Sequence, residues 1–116
     1  ADFWGDAVEL KEAGLWLKEH TNHEPVLMSY NKAVDFYAGI YNIRNGVSIS
    51  NDDFHRVLSY AKHRKAEYLV LSQRYADKFP KLNFLFQSAG LPEELEPVFE
   101  SENFPGTKVK IFKLLQ

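Results

Sequence analysis

The chain has 116 residues, of which 45% are hydrophobic and 15% aromatic, with 14 Lys and Arg against 16 Asp and Glu. This length and composition predict one folded domain, residues 1–116, and exclude a disordered chain. The formal net charge of -2 leaves no overall positive field to hold nucleic acid or an anionic membrane. Because there is no cysteine, disulfides, thiolate nucleophiles and cysteine-based zinc sites are excluded.

No apolar run in the sequence approaches the roughly 20 residues that a membrane-spanning helix needs. The sequence begins at Ala1 without an initiator Met and soon enters a predicted helix. We therefore expect the chain itself to be soluble and to be a fragment of a longer protein.

The first predicted element is a helix that begins near Asp6. Asp6 and Glu9 have the spacing of a capping box, in which each side chain bonds to a free backbone N–H. Apolar residues then recur at helical spacing, at Leu10, Ala13, Gly14 and Leu17. Asn22 and Pro25 mark the end of this helix, and the apolar run 25–30 predicts a first buried strand.

A second, shorter helix is predicted next, with Asn31 as its N-cap and Gly39 at the position that favours a left-handed end. After it, the turn signal Asn45-Gly46 is followed by alternation around Val47. This pattern predicts a second short strand.

The clearest pattern in the chain is a helix followed by a buried strand. An apolar stripe at i, i+3, i+4 and i+7 consists of Phe54, Val57, Leu58 and Ala61. Asn51 and Asp52 are the available caps. Residues 68–71 are apolar at every position, whereas a strand with one solvated face would alternate. The run 65–72 therefore predicts a central parallel strand that is buried on both faces.

A fourth major helix is predicted from Pro80 onward, ending before Gly90 and Pro92. Its apolar positions at helical spacing are Leu82, Leu85, Phe86 and Ala89.

The last part of the chain predicts an antiparallel hairpin. The turn signal Pro105-Gly106 separates two extended runs, 95–101 and 107–115. In the second run, lysines alternate with apolar residues, which predicts an edge strand with one solvated face.

The predicted order is α-β-α-β-α-β-α-β-β, and strands joined by helices pair in parallel through right-handed crossovers. The sequence therefore predicts an α/β fold. Its expected form is a three-layer or doubly wound, mainly parallel sheet of about five strands with a C-terminal antiparallel hairpin.

Motifs for chemistry are few. Neither a Gly-rich phosphate loop nor a G-x-S-x-G nucleophile elbow occurs. His20, His23 and Glu24 lie close enough in sequence for a metal site, but solvated polar residues at a helix end are the favoured interpretation. No catalytic residue, metal ligand or cofactor is therefore assigned.

Two charged runs each have a functional and a structural interpretation. The basic run 62–65 could bind a phosphate or a lipid headgroup, but cations also accumulate at helix C-termini. Glu93, Glu94 and Glu96 could supply paired carboxylates, but flanking prolines predict an exposed loop with solvated acids.

Candidate ligand-binding residues follow from position alone, because ligands of open α/β sheets bind at the carboxyl ends of the strands. These residues are Tyr30, Asn31, Ser72 and Arg74. Each has a structural alternative: Asn31 as a helix cap, Tyr30 in packing, and Arg74 as a surface charge.

Several stretches, in their shared order, resemble the C-terminal soluble domain of multi-spanning glycosyltransferases that use a polyprenyl-phosphate sugar donor, the dolichyl-phosphate-mannose protein mannosyltransferase-like class. The resemblance covers the chain from about Glu9 onward. The stretches are KEAGLWLKEHT (11–21), VLMS (26–29), FYAG (36–39), YA (60–61), AEYLVL (66–71) and PGTKVKIFKL (105–114).

In that family the soluble domain follows the last transmembrane helix on the outer side of the membrane, and the catalytic acids lie in loops between membrane helices. The resemblance thus implies a non-catalytic, extracytoplasmic accessory domain. Its implied partners are the membrane-embedded part of the same polypeptide and a glycan or lipid-linked sugar acceptor, with no nucleic acid. A stand-alone small-molecule-binding module and a small enzyme with an unfamiliar site are the alternatives.

Overall fold

A computed structural model describes residues 7–115, and within them the chain forms one five-stranded sheet. The strands lie in the spatial order β2-β1-β3-β5-β4. They are β1 (Leu27–Ser29), β2 (Gly46–Ser48), β3 (Tyr68–Ser72), β4 (Leu95–Ser101) and β5 (Val109–Leu114). The two strands that flank β3 come from opposite ends of the described chain, so β3 is the centre of the fold.

The sheet is mixed. In the described chain, β1 pairs in parallel with β2 and β3, whereas β5 pairs antiparallel with β3 and β4. The structure confirms an α/β fold of five strands with a C-terminal antiparallel hairpin. A mainly parallel sheet is not confirmed, because parallel and antiparallel pairings are equal in number among the described strands.

Helical segments connect the strands. The α-helices are α1 (Val8–His20), α2 (Lys32–Tyr37) and α3 (Phe54–His63). Single turns and short runs of 3-10 helix occur at Ile43–Asn45, Gln73–Lys78 and Pro80–Phe86. None of the helices within residues 7–115 is long and apolar enough to cross a membrane.

Both faces of β3 are buried, as the sequence predicts. Leu69 and Leu71 pack with α3 and the Pro80–Phe86 segment, while Tyr68 and Val70 pack with α1 and α2 on the other face. Successive side chains of a strand point to opposite faces, so an uninterrupted apolar run fits a strand covered on both sides.

The helix caps are partly as predicted. Asn31 caps α2, because its side chain accepts a hydrogen bond from the backbone N–H of Ala33 at 2.7 Å. Gly39 has φ of +78°, the left-handed conformation expected of a helix end. The cap of α3 is Asp53, which accepts from the backbone N–H of Arg56 at 3.0 Å. The predicted caps Asn51 and Asp52 are therefore wrong by one or two residues.

The predicted capping box of the first helix is not formed as expected. Ala7 is the N-cap residue of α1 and provides no side-chain hydrogen bond. Asp6 lies outside the described residues. Glu9, with 2% of its surface exposed, accepts two hydrogen bonds from the guanidinium of Arg74 at 2.7 and 3.1 Å. Its carboxylate therefore joins α1 to the segment after β3.

The predicted fourth α-helix is wrong, since residues 80–86 form a 3-10 helix. Leu82 and Leu85, three residues apart, are its buried residues, whereas Ala89 is exposed. A 3-10 helix has three residues per turn, so this spacing places both leucines on the face that packs on the sheet.

The predicted edge position of the last strand is also wrong, because β5 lies between β3 and β4. Lys110 is only 3% exposed, and its ammonium donates to the backbone carbonyls of Leu85 and Gln87 at 3.1 and 3.4 Å. Burial lowers the pKa of Lys110. Lys110 is therefore a buried residue whose amine is held by backbone carbonyls, and it does not mark a solvated face. The strand at this edge of the sheet is β4.

Candidate functional site

A narrow cleft with about 20 Å³ of accessible space lies at the carboxyl ends of β1 and β3. These strands are parallel neighbours, so the residues that follow them meet at one edge of the sheet. The floor of the cleft is apolar and its rim is polar. The lining residues most relevant to binding are Ser29, Tyr30, Asn31, Ser72, Tyr75, Phe79, Asn83 and Phe86.

Asn31 orients the rim through both ends of its side-chain amide. Its carbonyl oxygen is held by the N–H of Ala33 in the cap of α2, so its NH₂ group donates to the hydroxyl of Tyr75. Because the Tyr75 oxygen accepts this bond, its own O–H hydrogen is left to point elsewhere. One helix cap therefore fixes the direction of two polar groups in the cleft.

Ser29 and Asp35 form a buried pair behind the cleft. The hydroxyl of Ser29 donates to the Asp35 carboxylate at 2.9 Å, and Lys32 lies 3.6 Å from the same carboxylate. Burial raises the pKa of Asp35, and the hydrogen bond from Ser29 and the charge of Lys32 oppose this shift. The carboxylate does not itself line the cleft.

Aromatic rings form one wall of the cleft. The ring centroid of Tyr30 lies 4.7 Å from that of Tyr75 and 5.4 Å from that of Phe79. The ammonium of Lys78 lies 5.4 Å from the centroid of Tyr30. Tyr30 is 44% exposed, so part of this ring faces solvent at the mouth of the cleft.

The structure brings three of the four predicted ligand-binding residues together. Tyr30, Asn31 and Ser72 line the cleft, and the hydroxyl of Ser72 accepts from the backbone N–H of Arg74 at 3.3 Å. Arg74 is not part of the lining, because its guanidinium turns to the buried carboxylate of Glu9. That these residues bind a ligand stays a prediction.

The polar groups of the lining are all uncharged at neutral pH: two serines, two amides and two tyrosines. Among residues 7–115, none that forms the walls of the cleft carries a carboxylate, imidazole, amine or guanidinium. The cleft can therefore accept and donate hydrogen bonds, but it lacks the usual groups for proton transfer near pH 7.

Comparison of the chain with protein-family models, curated proteins and solved structures gave no match. The proposals for function therefore rest on the cleft and on the sequence resemblance described above.

The three residues considered for a metal site, His20, His23 and Glu24, each contact a different partner. His20 contacts the backbone carbonyl of Trp16 at 2.8 Å, and His23 contacts the carboxylate of Glu67 at 2.6 Å. Glu24 instead accepts from the backbone N–H of Asn42. Within residues 7–115, no group of three or more histidine or acidic side chains is arranged to hold a metal ion.

The charged runs have mainly structural contacts. Arg64, at the end of α3, donates to the hydroxyl of Tyr60 at 2.7 Å and to the carbonyl of Arg44 at 3.1 Å. Glu96 lies in β4 opposite Lys113, so the prediction that it belongs to a loop is wrong.

The sequence did not reveal the far wall of the cleft, which consists of Tyr75, Phe79, Asn83 and Phe86. Tyr75 lies in the 3-10 segment Gln73–Lys78, Asn83 and Phe86 lie in Pro80–Phe86, and Phe79 lies between the two. The sequence predicted an α-helix for the second segment, with Phe86 among its apolar positions. Their one usable signal is that Tyr75 and Phe79, four residues apart, come soon after the carboxyl end of a buried strand.

Proposed function

We propose that this chain is a non-catalytic, extracytoplasmic accessory domain of a membrane glycosyltransferase that transfers sugar from a lipid-phosphate donor. In this proposal the cleft binds part of the acceptor. The observation that carries it is the lining of the cleft, which in the described part of the chain combines aromatic rings with uncharged hydrogen-bonding groups and has no acid or base. Such a surface suits binding and orientation, while the acid-base chemistry belongs to the membrane portion.

The position of α1 supports this proposal. Leu10 of α1 lines the cleft, and Glu9 is bonded to Arg74, two residues after the end of β3. The helix therefore begins at the same edge of the sheet as the cleft. If the membrane portion is joined ahead of α1, as the resemblance implies, the cleft lies at the edge of the sheet nearer to the join.

The isolated chain tests the non-catalytic part of the proposal. Incubated with a lipid-phosphate sugar donor and an acceptor, residues 1–116 are expected to give no product above a blank without protein, because the described residues that line the cleft supply no proton-transfer group. The parent enzyme in membranes serves as the positive control. Product formation by the isolated chain would overturn the proposal.

A stand-alone small-molecule-binding module is the second candidate. The cleft itself favours it, since its lining combines apolar side chains with a few polar groups, as the lining of small-ligand pockets does. The parent reading frame separates the two candidates. Multiple spanning segments upstream of residue 1 support the accessory domain, whereas a start codon at that point supports the module.

A further inference from the structure

We propose that the chain binds the surface of an anionic lipid membrane through a patch at the amino ends of β2 and β3. This basic patch consists of Tyr41, Ile43, Arg44, Arg64 and Lys65. The inference goes beyond the proposed function, and it depends neither on the cleft nor on the membrane glycosyltransferase.

Parallel pairing brings the two connections of the basic patch together. β1 pairs in parallel with both β2 and β3, so the residues that precede these strands lie at the same end of the sheet. The guanidinium of Arg64, before β3, donates to the backbone carbonyl of Arg44, before β2, at 3.1 Å. The two connections therefore form one surface, at the end of the parallel strands that is opposite the cleft.

Two apolar side chains protrude from this surface on a hydrogen-bonded backbone. Tyr41 and Ile43 are the most exposed large hydrophobic residues among residues 7–115, at 91% and 84% of their surface. The carboxylate of Glu24 accepts from the backbone N–H groups of Tyr41 and Asn42, and the Asn42 side chain accepts from the N–H of Arg44 at 3.0 Å. The backbone thus holds both apolar side chains in water, where covering them is favourable.

The charge of the basic patch selects an anionic partner. The ion pairs formed among residues 7–115 involve none of Arg44, Arg64 and Lys65. The guanidinium of Arg64 donates to the hydroxyl of Tyr60 and to a backbone carbonyl, and neither acceptor carries a charge. Three cations are therefore concentrated on this surface, although the chain as a whole has a net charge of -2.

The acidic side chains beside the basic patch bind groups of the domain itself. Glu24 holds the two N–H groups named above, and Glu67 accepts from the backbone N–H of Val26 at 2.9 Å. The other oxygen of Glu67 contacts the His23 ring at 2.6 Å. These two carboxylates thus have partners other than the three cations.

Glu93 and Glu94 lie further along the sheet. They directly precede β4, which is at the far side of the sheet from β2, and they line a groove together with Lys62. Because these acids lie beside Lys62, we do not count that lysine in the basic patch.

The backbone of Lys65 supports a role for its side chain outside the fold. Lys65 has φ of +60°, a left-handed conformation that is strained for residues with a Cβ atom. It directly follows the C-cap of α3, where glycine is the usual residue. Among residues 7–115 it is the one non-glycine residue with positive φ, and it is exposed. An exposed ammonium at a position that suits glycine fits contact with lipid phosphates.

The small apolar part of the basic patch favours a lipid surface over a protein partner. A stable protein interface covers about 800 Å² on each side, far more than two protruding side chains provide. A bilayer interface needs no such area, because tyrosine and aliphatic side chains enter the headgroup region singly while nearby cations contact the phosphates.

Co-sedimentation of the 116-residue chain with vesicles tests the inference. The chain is expected to bind vesicles of phosphatidylcholine mixed with phosphatidylglycerol, and to bind phosphatidylcholine alone at least about tenfold more weakly. Added salt is expected to release the chain from the anionic vesicles, because it screens the attraction between surface charges.

Variants locate the surface. Ile43→Ser and Arg44→Gln are each expected to lower the partition coefficient about fivefold, through lost apolar burial and lost charge respectively. The matched controls lie at the other end of the sheet. They are Phe104→Ser, at a residue 64% exposed in the turn between β4 and β5, and Lys81→Gln, at an exposed position after β3. Both controls are expected to bind as the original chain does.

Lys65→Gly separates a lipid-binding role from a structural one. Glycine relieves the strained φ, so the midpoint of urea unfolding is expected to rise. Vesicle binding is expected to fall about fivefold, because one cation near the anionic surface is lost. A lysine with a structural role alone would leave vesicle binding unchanged.

Four results would overturn the inference. They are equal binding to anionic and neutral vesicles, unchanged binding by Ile43→Ser and Arg44→Gln, an equal loss of binding in the two controls, or unchanged binding by Lys65→Gly. A dimer in solution that Ile43→Ser dissociates would assign the basic patch to a second copy of the chain, and would also overturn it.

Discussion

Asn31 shows how one side chain can cap a helix and orient a group in the cleft together. From the sequence, a helix cap and a ligand-binding residue are competing interpretations of this position. In the structure its carbonyl oxygen caps α2 and its NH₂ group orients Tyr75 in the cleft. An amide has a donor end and an acceptor end, so the two roles do not compete.

Asp35 provides a pH test at the level of a single residue. Its carboxyl is 8% exposed, and burial raises its pKa above the ordinary value of 3.8. A raised folded-state pKa means that the folded chain binds a proton more tightly than the unfolded chain. The stability that Asp35 contributes is therefore greatest below pH 3.8 and is lost as pH rises through the folded-state pKa.

Asp35→Asn removes this titration while keeping an acceptor for the Ser29 hydroxyl. The free energy of unfolding of the variant, relative to the original chain, is expected to improve as pH rises from about 3.5 to neutral. Urea unfolding across that range measures the difference. Asp77→Asn, at an exposed position, controls for the loss of one negative charge. A relative stability that stays flat or falls with pH would contradict the prediction.

At the scale of elements, α1 and α2 approach each other closely at Gly14. A Cβ atom at this position would lie 2.6 Å from the Cβ of Tyr37 and 2.7 Å from the carbonyl oxygen of Val34. Both distances are below van der Waals contact, and one neighbour is backbone. Only a glycine lets the two helices pack at this separation.

Gly14→Ala is expected to lower the free energy of unfolding by about 1 to 2 kcal/mol. The clash costs about 1 to 3 kcal/mol, and the better helix propensity of alanine returns up to about 1 kcal/mol. Urea unfolding measures the change. Lys18→Ala, exposed on the same helix, should stay within about 0.5 kcal/mol of the original chain. A Gly14→Ala variant as stable as the original would show that the helices move apart freely.

The sequence predicted best those elements in which one face of a helix, or both faces of a strand, are buried over several residues. The stripe of α3 and the apolar run of β3 were both predicted and are both buried. The sequence did not predict two features: the interior position of β5 in the sheet and the 3-10 helix at Pro80–Phe86. The amine of Lys110 finds carbonyls inside the sheet, and the 3-10 segment Pro80–Phe86 shares its apolar residues with helical spacing.

At the scale of the whole molecule, topology explains which part of the site could be predicted. Tyr30, Asn31 and Ser72 follow parallel neighbouring strands, so the direction of the chain places them at one edge. The opposite wall comes from the two 3-10 segments after β3 and the residue between them, whose path depends on tertiary packing. The position of β5 between β3 and β4 likewise depends on long-range pairing that no local pattern encodes.

In the proposed function, this domain binds the acceptor and the membrane portion catalyses sugar transfer. The most direct measurement is therefore the kinetics of sugar transfer by the membrane-embedded parent enzyme carrying Tyr30→Ala, with Phe104→Ala as the matched control. The proposal predicts that Tyr30→Ala raises KM for the acceptor about tenfold at nearly unchanged kcat, while Phe104→Ala leaves both unchanged. A Tyr30→Ala enzyme whose KM is unchanged, or whose kcat falls at constant KM, would contradict it.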